Sequence, residues 1–201
     1  MALGAALIAA APVRRQLRKL HLQSSIMARE VIAKRAAETE ERQKTSDEIL
    51  SVVRNSLFET VLLTDRSALP AWAEDAEPMI LRAIGELRDQ DEKRADPTGI
   101  AARRADVLTE LERLADSVEA LQLPSKVRDA VNMGVHPIDD PELEELDRQA
   151  TEAALDLKDA YERFRRAIRE LDNAFITELI ILRLRIQEID NLIINEEVHR
   201  T

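Results

Sequence analysis

The placement of glycine and proline constrains this chain more than any other feature. None occurs at residues 13–69 and none at residues 142–201, while all but Gly4 and Pro12 fall between Pro70 and Pro141. These two residues are the strongest local breakers of regular structure, so their absence leaves two stretches of about sixty residues free to run as single helices. The middle, where they concentrate, must turn. The spacing predicts long helix, broken middle, long helix.

The last stretch has the clearest pattern. Asp139, Asp140, Pro141 and Glu142 supply a cap, a proline in the first turn and an acid beside it. An apolar series then runs Leu143, Leu146, Ala150, Ala154, Leu157, Tyr161, Phe164, Ile168, Leu171, Phe175, Leu179, Leu182, Ile186, Ile189, Ile193. Every step is three or four residues, the period of a coiled-coil seam with stutters where fours repeat. A helix over 142–198 would measure roughly 85 Å at 1.5 Å per residue.

The first long helix, expected over 14–68, is less regular. Leu17, Leu20, Met27 and Val31 form one stripe, and Leu50, Val53, Leu57 and Val61 another. Between them Lys34–Glu48 offers only alanines as apolar residues, which suits a solvated or thinly packed helix. In the middle, a helix carrying Ile80, Leu81, Ile84 and Leu87 is expected from Pro78 to Arg94. A second runs from the Asp96-Pro97-Thr98 cap to about Leu121, and a brief third from Leu123-Pro124-Ser125 to Gly134. No alternating strand pattern exceeds four residues, and no internal repeat is visible.

Together these readings give an all-α fold. Two long antiparallel helices form a coiled-coil stalk, and the shorter helical hairpin (69–140) thickens one end into a bundle. In this arrangement Leu17, Leu20, Leu22, Ile26, Met27, Val31 and Ile32 face the last helix, and the basic run Arg14–Lys19 lies beside Glu188, Asp190, Glu196 and Glu197.

Composition narrows the function. The chain has 201 residues, 34% of them charged, five aromatics and four glycines, the mix of long helices and not of an aromatic-walled pocket. Its net charge of −10 argues against nucleic acid as a partner, since phosphates need a basic surface. The balance is uneven: residues 1–44 hold nine basic and four acidic side chains, +5, leaving −15 for the remainder. With no cysteine, disulfides and thiolate metal sites are excluded.

Two regions carry expectations of contact. Met1–Val13 is apolar throughout and is followed by Arg14, Arg15, Arg18 and Lys19. Thirteen residues are short for a span of about 20, but the order of apolar then basic suits a segment dipping into a membrane whose basic flank is cytoplasmic. Leu3, Leu7, Ile8, Arg14, Arg15, Arg18 and Lys19 are therefore candidates for membrane or partner contact. The second region is the far part of the last helix. Ile176, Ile180, Ile181, Leu184 and Ile194 lie off the seam, and a helix apolar on more than one side wants more than one neighbour. They are the candidate interface of a homo-oligomer or assembly partner.

Chemical motifs are sparse. Glu196 and His199 have the Glu-x-x-His spacing of di-iron bundles, but no second copy accompanies them. His136 sits near Asp139 and Asp140 in a turn, His21 lies in the basic region, and Arg163, Arg165, Arg166 and Arg169 stand among Asp159, Glu162, Glu170 and Asp172 as helix-surface ion pairs. Trp72 falls in the acidic stretch Ala71–Glu77, expected to be a turn packed under the bundle. No phosphate loop, nucleophile elbow or zinc spacing occurs. The expectation is a non-enzymatic scaffold or tether, without cofactor, membrane-associated with its body in the cytoplasm. The alternative is a component of a larger particle such as a virion or secretion assembly, and third a metal-binding or sensory bundle.

Overall fold

The computed structural model describes residues 2–61, 69–92, 99–132 and 140–198. Each of these segments is one α-helix: α1 (Ala2–Val61), α2 (Leu69–Glu92), α3 (Gly99–Asn132) and α4 (Asp140–Val198). The class is all-α. α4 runs unbroken for 59 residues, as the absence of breakers requires.

Three details differ from the sequence reading. α1 begins at Ala2 and passes through Pro12, so the apolar segment shares one helix with the basic run. α2 begins at Leu69 and carries Pro78 inside it, making the acidic stretch around Trp72 helical and not a turn. A proline there deletes one backbone hydrogen bond; Ala73, Ala76 and Ile80 are nevertheless at most 1% exposed, and burial on both sides of Pro78 holds the helix together. α3 likewise continues through Pro124 to Asn132, where a separate short helix was expected.

The chain divides into two compact units: residues 1–42 with 175–201, and residues 43–174. In the larger, α2 and α3 pack antiparallel. The Gln122 amide donates to the Ala73 carbonyl at 3.2 Å and to Glu77 at 2.8 Å, and the buried Arg104 guanidinium donates to the Leu87 carbonyl at 3.1 Å. The buried rows between them are Ala73, Ala76, Ile80, Ala83, Leu87 and Val107, Leu111, Leu114, Val118, Leu121. Arg103 with Glu170 and Arg163 with Glu110 set α3 antiparallel to α4. Leu50 and Val53 of α1 are buried in the same unit. Leu81 of α2 is 52% exposed.

Along α4 the expected seam is met closely. Leu157, Tyr161, Phe164, Ile168, Leu171, Phe175, Leu179 and Leu182 are all buried. Leu146, Ala150, Ala154, Ile186, Ile189 and Ile193 are half-buried.

Candidate interaction surface

The smaller unit pairs one stretch of α1 with one of α4. Arg29 binds Asp190, Arg35 binds Glu178 at 2.7 Å, and Arg183 binds Glu40 at 2.6 Å. The partner of residue 29 lies near the end of α4 and the partner of residue 35 twelve positions earlier, so the two stretches run antiparallel. All three pairs are solvent-accessible, and each contributes roughly 0–1 kcal/mol. They set register more than they hold the helices together.

The packed line between these stretches is narrow. On α1, Leu22, Ser25, Ile32 and Ala33 are half-buried, and Ala36 and Thr39 are buried. The Thr39 hydroxyl donates to the Arg35 carbonyl at 2.9 Å, which satisfies it inside the helix and lets a polar residue sit in the line. Opposite lie Phe175, Leu179 and Leu182. Small residues on α1 against large ones on α4 are what permit this contact.

The first-helix stripe therefore faces elsewhere than expected. Leu17, Leu20, Met27 and Val31 were assigned to the side meeting α4; they are 61%, 61%, 66% and 69% exposed. The reason lies in the register. Ala36 and Thr39 occupy the contact, and the stripe is centred about a third of a turn away from them at 3.6 residues per turn. The ion-pair expectation shifts with it. Asp190 binds Arg29 and not the run Arg14–Lys19. With that register, Val198 lies opposite about residue 21 of α1, and Val13 and residues 15–20 are all exposed, with none of the described α4 beside them.

The other predicted interface residues are exposed. Ile176 (47%), Ile180 (52%), Ile181 (41%), Leu184 (54%) and Ile194 (56%) stand away from the seam, joined by Leu192. Ile176, Ile180 and Leu184 follow one another at four-residue steps and make a continuous row on the helix surface. Arg15, Arg18 and Lys19 are exposed on α1. The side chains of Leu3, Leu7, Ile8 and Arg14 lie outside the described residues, as do those of Trp72, Glu196 and His199 and the segment holding His136.

The remaining chemistry is that of helix surfaces. Arg163 binds Glu110 and Arg165 binds Glu162, and the Arg165 guanidinium lies 5.7 Å from the centre of the Tyr161 ring. Hydrogen bonds from Arg148 and Gln149 hold the Glu145 carboxyl down at about 2. Among the described residues, no group of three His, Asp or Glu side chains is placed to hold a metal ion. Also among them, no helix is long and apolar enough to cross a membrane. Compared with family models, with curated proteins and with solved structures, the chain matches none.

Proposed function

We propose that the chain is a non-enzymatic helical scaffold or tether that works by self-association of its smaller unit, with the apolar N-terminal segment as its attachment, at a membrane that leaves the body in the cytoplasm. One observation carries the reading: the smaller unit exposes two apolar surfaces at once, Leu17, Leu20, Met27 and Val31 on α1 and Ile176, Ile180, Ile181 and Leu184 on α4. Two neighbouring helices that each keep an uncovered apolar side are an assembly surface, because patches of this kind on a free monomer promote association. The larger unit, by contrast, exposes only Val52, Leu81 and Leu155 among the large apolar side chains of its described residues.

The test is the double substitution Ile181→Glu with Leu184→Glu, followed by analytical ultracentrifugation at micromolar concentration and by circular dichroism. Both positions are off the Phe175–Leu179–Leu182 line, so helicity should persist while the assembled mass is lost. A wild-type chain that sediments as a monomer in the absence of lipid overturns self-association. Flotation with liposomes tests the attachment: removal of residues 1–13 should abolish it without loss of helicity. If instead the full chain never floats, and removing residues 1–13 keeps it out of a protein assembly, the attachment is to a particle and not to lipid.

A further inference from the structure

Apart from Ile26 and Val52, the exposed large apolar residues of α1 fall in one row. Val13, Leu17, Leu20, Met27 and Val31, with Ser24 between, recur at steps of 4, 3, 4, 3 and 4. This is a heptad seam in which Leu17, Ser24 and Val31 take the a positions and Val13, Leu20 and Met27 the d positions. Continued through the sequence, the register falls on Ala10, Ala6 and Leu3 toward the N-terminus and stops at Lys34 and Glu38 toward the C-terminus. The residues that meet α4, Leu22, Ser25, Arg29, Ile32, Ala33, Ala36 and Thr39, hold the b, c and f positions of the same register. α1 is thus two-faced, with α4 on one side and an uncovered heptad seam on the other.

We infer that this seam pairs with the same seam of a second copy of the chain, in parallel and in register. The inference rests on the self-association proposed above and names its contact. Apart from Ile26 at a c position, 40% exposed, the stripe keeps to two positions in seven, the width of a helix–helix seam and narrower than the broad apolar arc a helix presents to lipid. α4 lies on the opposite side, so a second α1 can dock without displacing it. The positions flanking the seam agree. Parallel pairing sets each g position against the next e position of the partner, here Gln16 with His21, Gln23 with Ala28 and Glu30 with Arg35. Two of these pairs are neutral and the third is attractive; Arg35 already binds Glu178, and a guanidinium has donors for a second carboxylate. Antiparallel pairing about Ser24 would set e against e, bringing Arg14 toward Arg35. Arg15, Arg18 and Lys19 fall at f, b and c, away from the partner, so their charge does not oppose the dimer. Ser24, the one polar residue among these seam positions, meets itself in the parallel, in-register dimer, the use to which single polar a positions are put.

The chain contains no cysteine, which makes the geometry directly readable. Ser24→Cys in the full chain should give a disulfide dimer on mild oxidation, or a cross-linked one with a short bismaleimide. Arg18→Cys, exposed on the same helix but at a b position, should cross-link at least about 10-fold less. Separately, Leu17→Glu with Met27→Glu should weaken the dimer by about 100-fold or more in analytical ultracentrifugation, with helicity retained because both side chains are exposed in one chain. Equal cross-linking from the two cysteine variants overturns the inference, as does a Leu17→Glu/Met27→Glu protein that keeps its assembled mass. If Ile181→Glu with Leu184→Glu alone dissolves the assembly, the scaffold reading stands and this seam is rejected. If the wild type is monomeric and binds vesicles of anionic lipid through Leu17 and Met27, the occupant is lipid and the pairing is rejected.

Discussion

α4 passes through both units, and its two stretches teach opposite lessons from similar sequence. Among the described residues, in the larger unit it buries Ala153, Leu157, Ala160, Tyr161, Phe164, Ala167, Ile168 and Leu171, and in the smaller only Phe175, Leu179 and Leu182. Both stretches are apolar over a wide arc. The larger unit supplies α3 as a neighbour, through Glu110 and Glu170, besides the α1 residues Leu50 and Val53. Among the described residues the smaller supplies α1, with a contact line in which Ser25, Ala33, Ala36 and Thr39 stand beside only two large residues, Leu22 and Ile32. Apolar width in a helix counts the neighbours it was built for, and where the chain provides fewer than that number the difference appears as exposed surface.

The largest expected effect follows directly. Phe164 is fully buried, and Phe164→Ala should cost about 3–5 kcal/mol of stability in denaturant titration. Ile180→Ala, made in the same way and measured below the concentration of assembly, should stay within about 0.5 kcal/mol. Comparable losses would mean that Ile180 is covered within one chain and that the contrast between the units is wrong.

Much of this was legible in the sequence and some was not. The length of α4, its buried seam and the off-seam set Ile176, Ile180, Ile181 and Leu184 followed from step lengths and the absence of breakers, because a long uninterrupted helix has one period and one register. α1 was harder. Its two stripes, Leu17–Val31 and Leu50–Val61, are separated by alanine-rich polar sequence, and periodicity alone cannot say which side of a helix its partner takes. The structure uses the side with Ala36 and Thr39, where small residues let α4 approach, over the side with more apolar area. Pro78 and Pro124 misled for a related reason: a proline costs a helix about 3 kcal/mol, an amount that the buried rows on either side of Pro78 can exceed. The links from Gln122 to Ala73 and from Arg104 to Leu87 gave no signal at all, since they depend on the α2–α3 register.

A smaller effect tests the register of the narrow contact. Arg29→Asp should slightly destabilise the smaller unit through loss of the solvent-screened Asp190 pair and a new repulsion, and adding Asp190→Arg should restore most of it. The difference should shrink in high salt. A double variant no better than the single would place these residues apart in solution and shift the overhang of α1 beyond α4.

In the larger unit the half-buried Asp172 makes a pH-dependent contribution of the opposite kind. Burial, with Asp47 nearby, raises its carboxyl above the ordinary value, and Arg54 only partly offsets this. The protonated form is the one the fold prefers, so the contribution to stability is present below the unfolded pKa and is lost as pH rises through the folded one. Asp172→Asn should therefore match wild type in strong acid and exceed it at neutral pH, by about 1–2 °C in Tm. A variant that is less stable at pH 7 would show that the carboxylate is bonded to a donor.

The last effect, a small one of unusual sign, concerns Tyr161. Its ring is buried, its hydroxyl has no hydrogen-bond partner among the described residues, and burial pushes its pKa up. A buried hydroxyl that gave up water without a replacement contributes nothing favourable, whereas the ring contributes by packing and by the Arg165 contact. Tyr161→Phe keeps the ring, the packing and the guanidinium above it, and removes only the oxygen. Stability should be unchanged or higher by up to about 1 kcal/mol. The comparison with Thr39 sharpens this. That hydroxyl is also buried, but it donates to the Arg35 carbonyl, so Thr39→Val removes a bond that Tyr161→Phe does not, and should be the less favourable of the two. If Tyr161→Phe proves the more damaging, the tyrosine oxygen has a partner in solution. The densest part of the larger unit would then be held together by a polar contact as well as by packing.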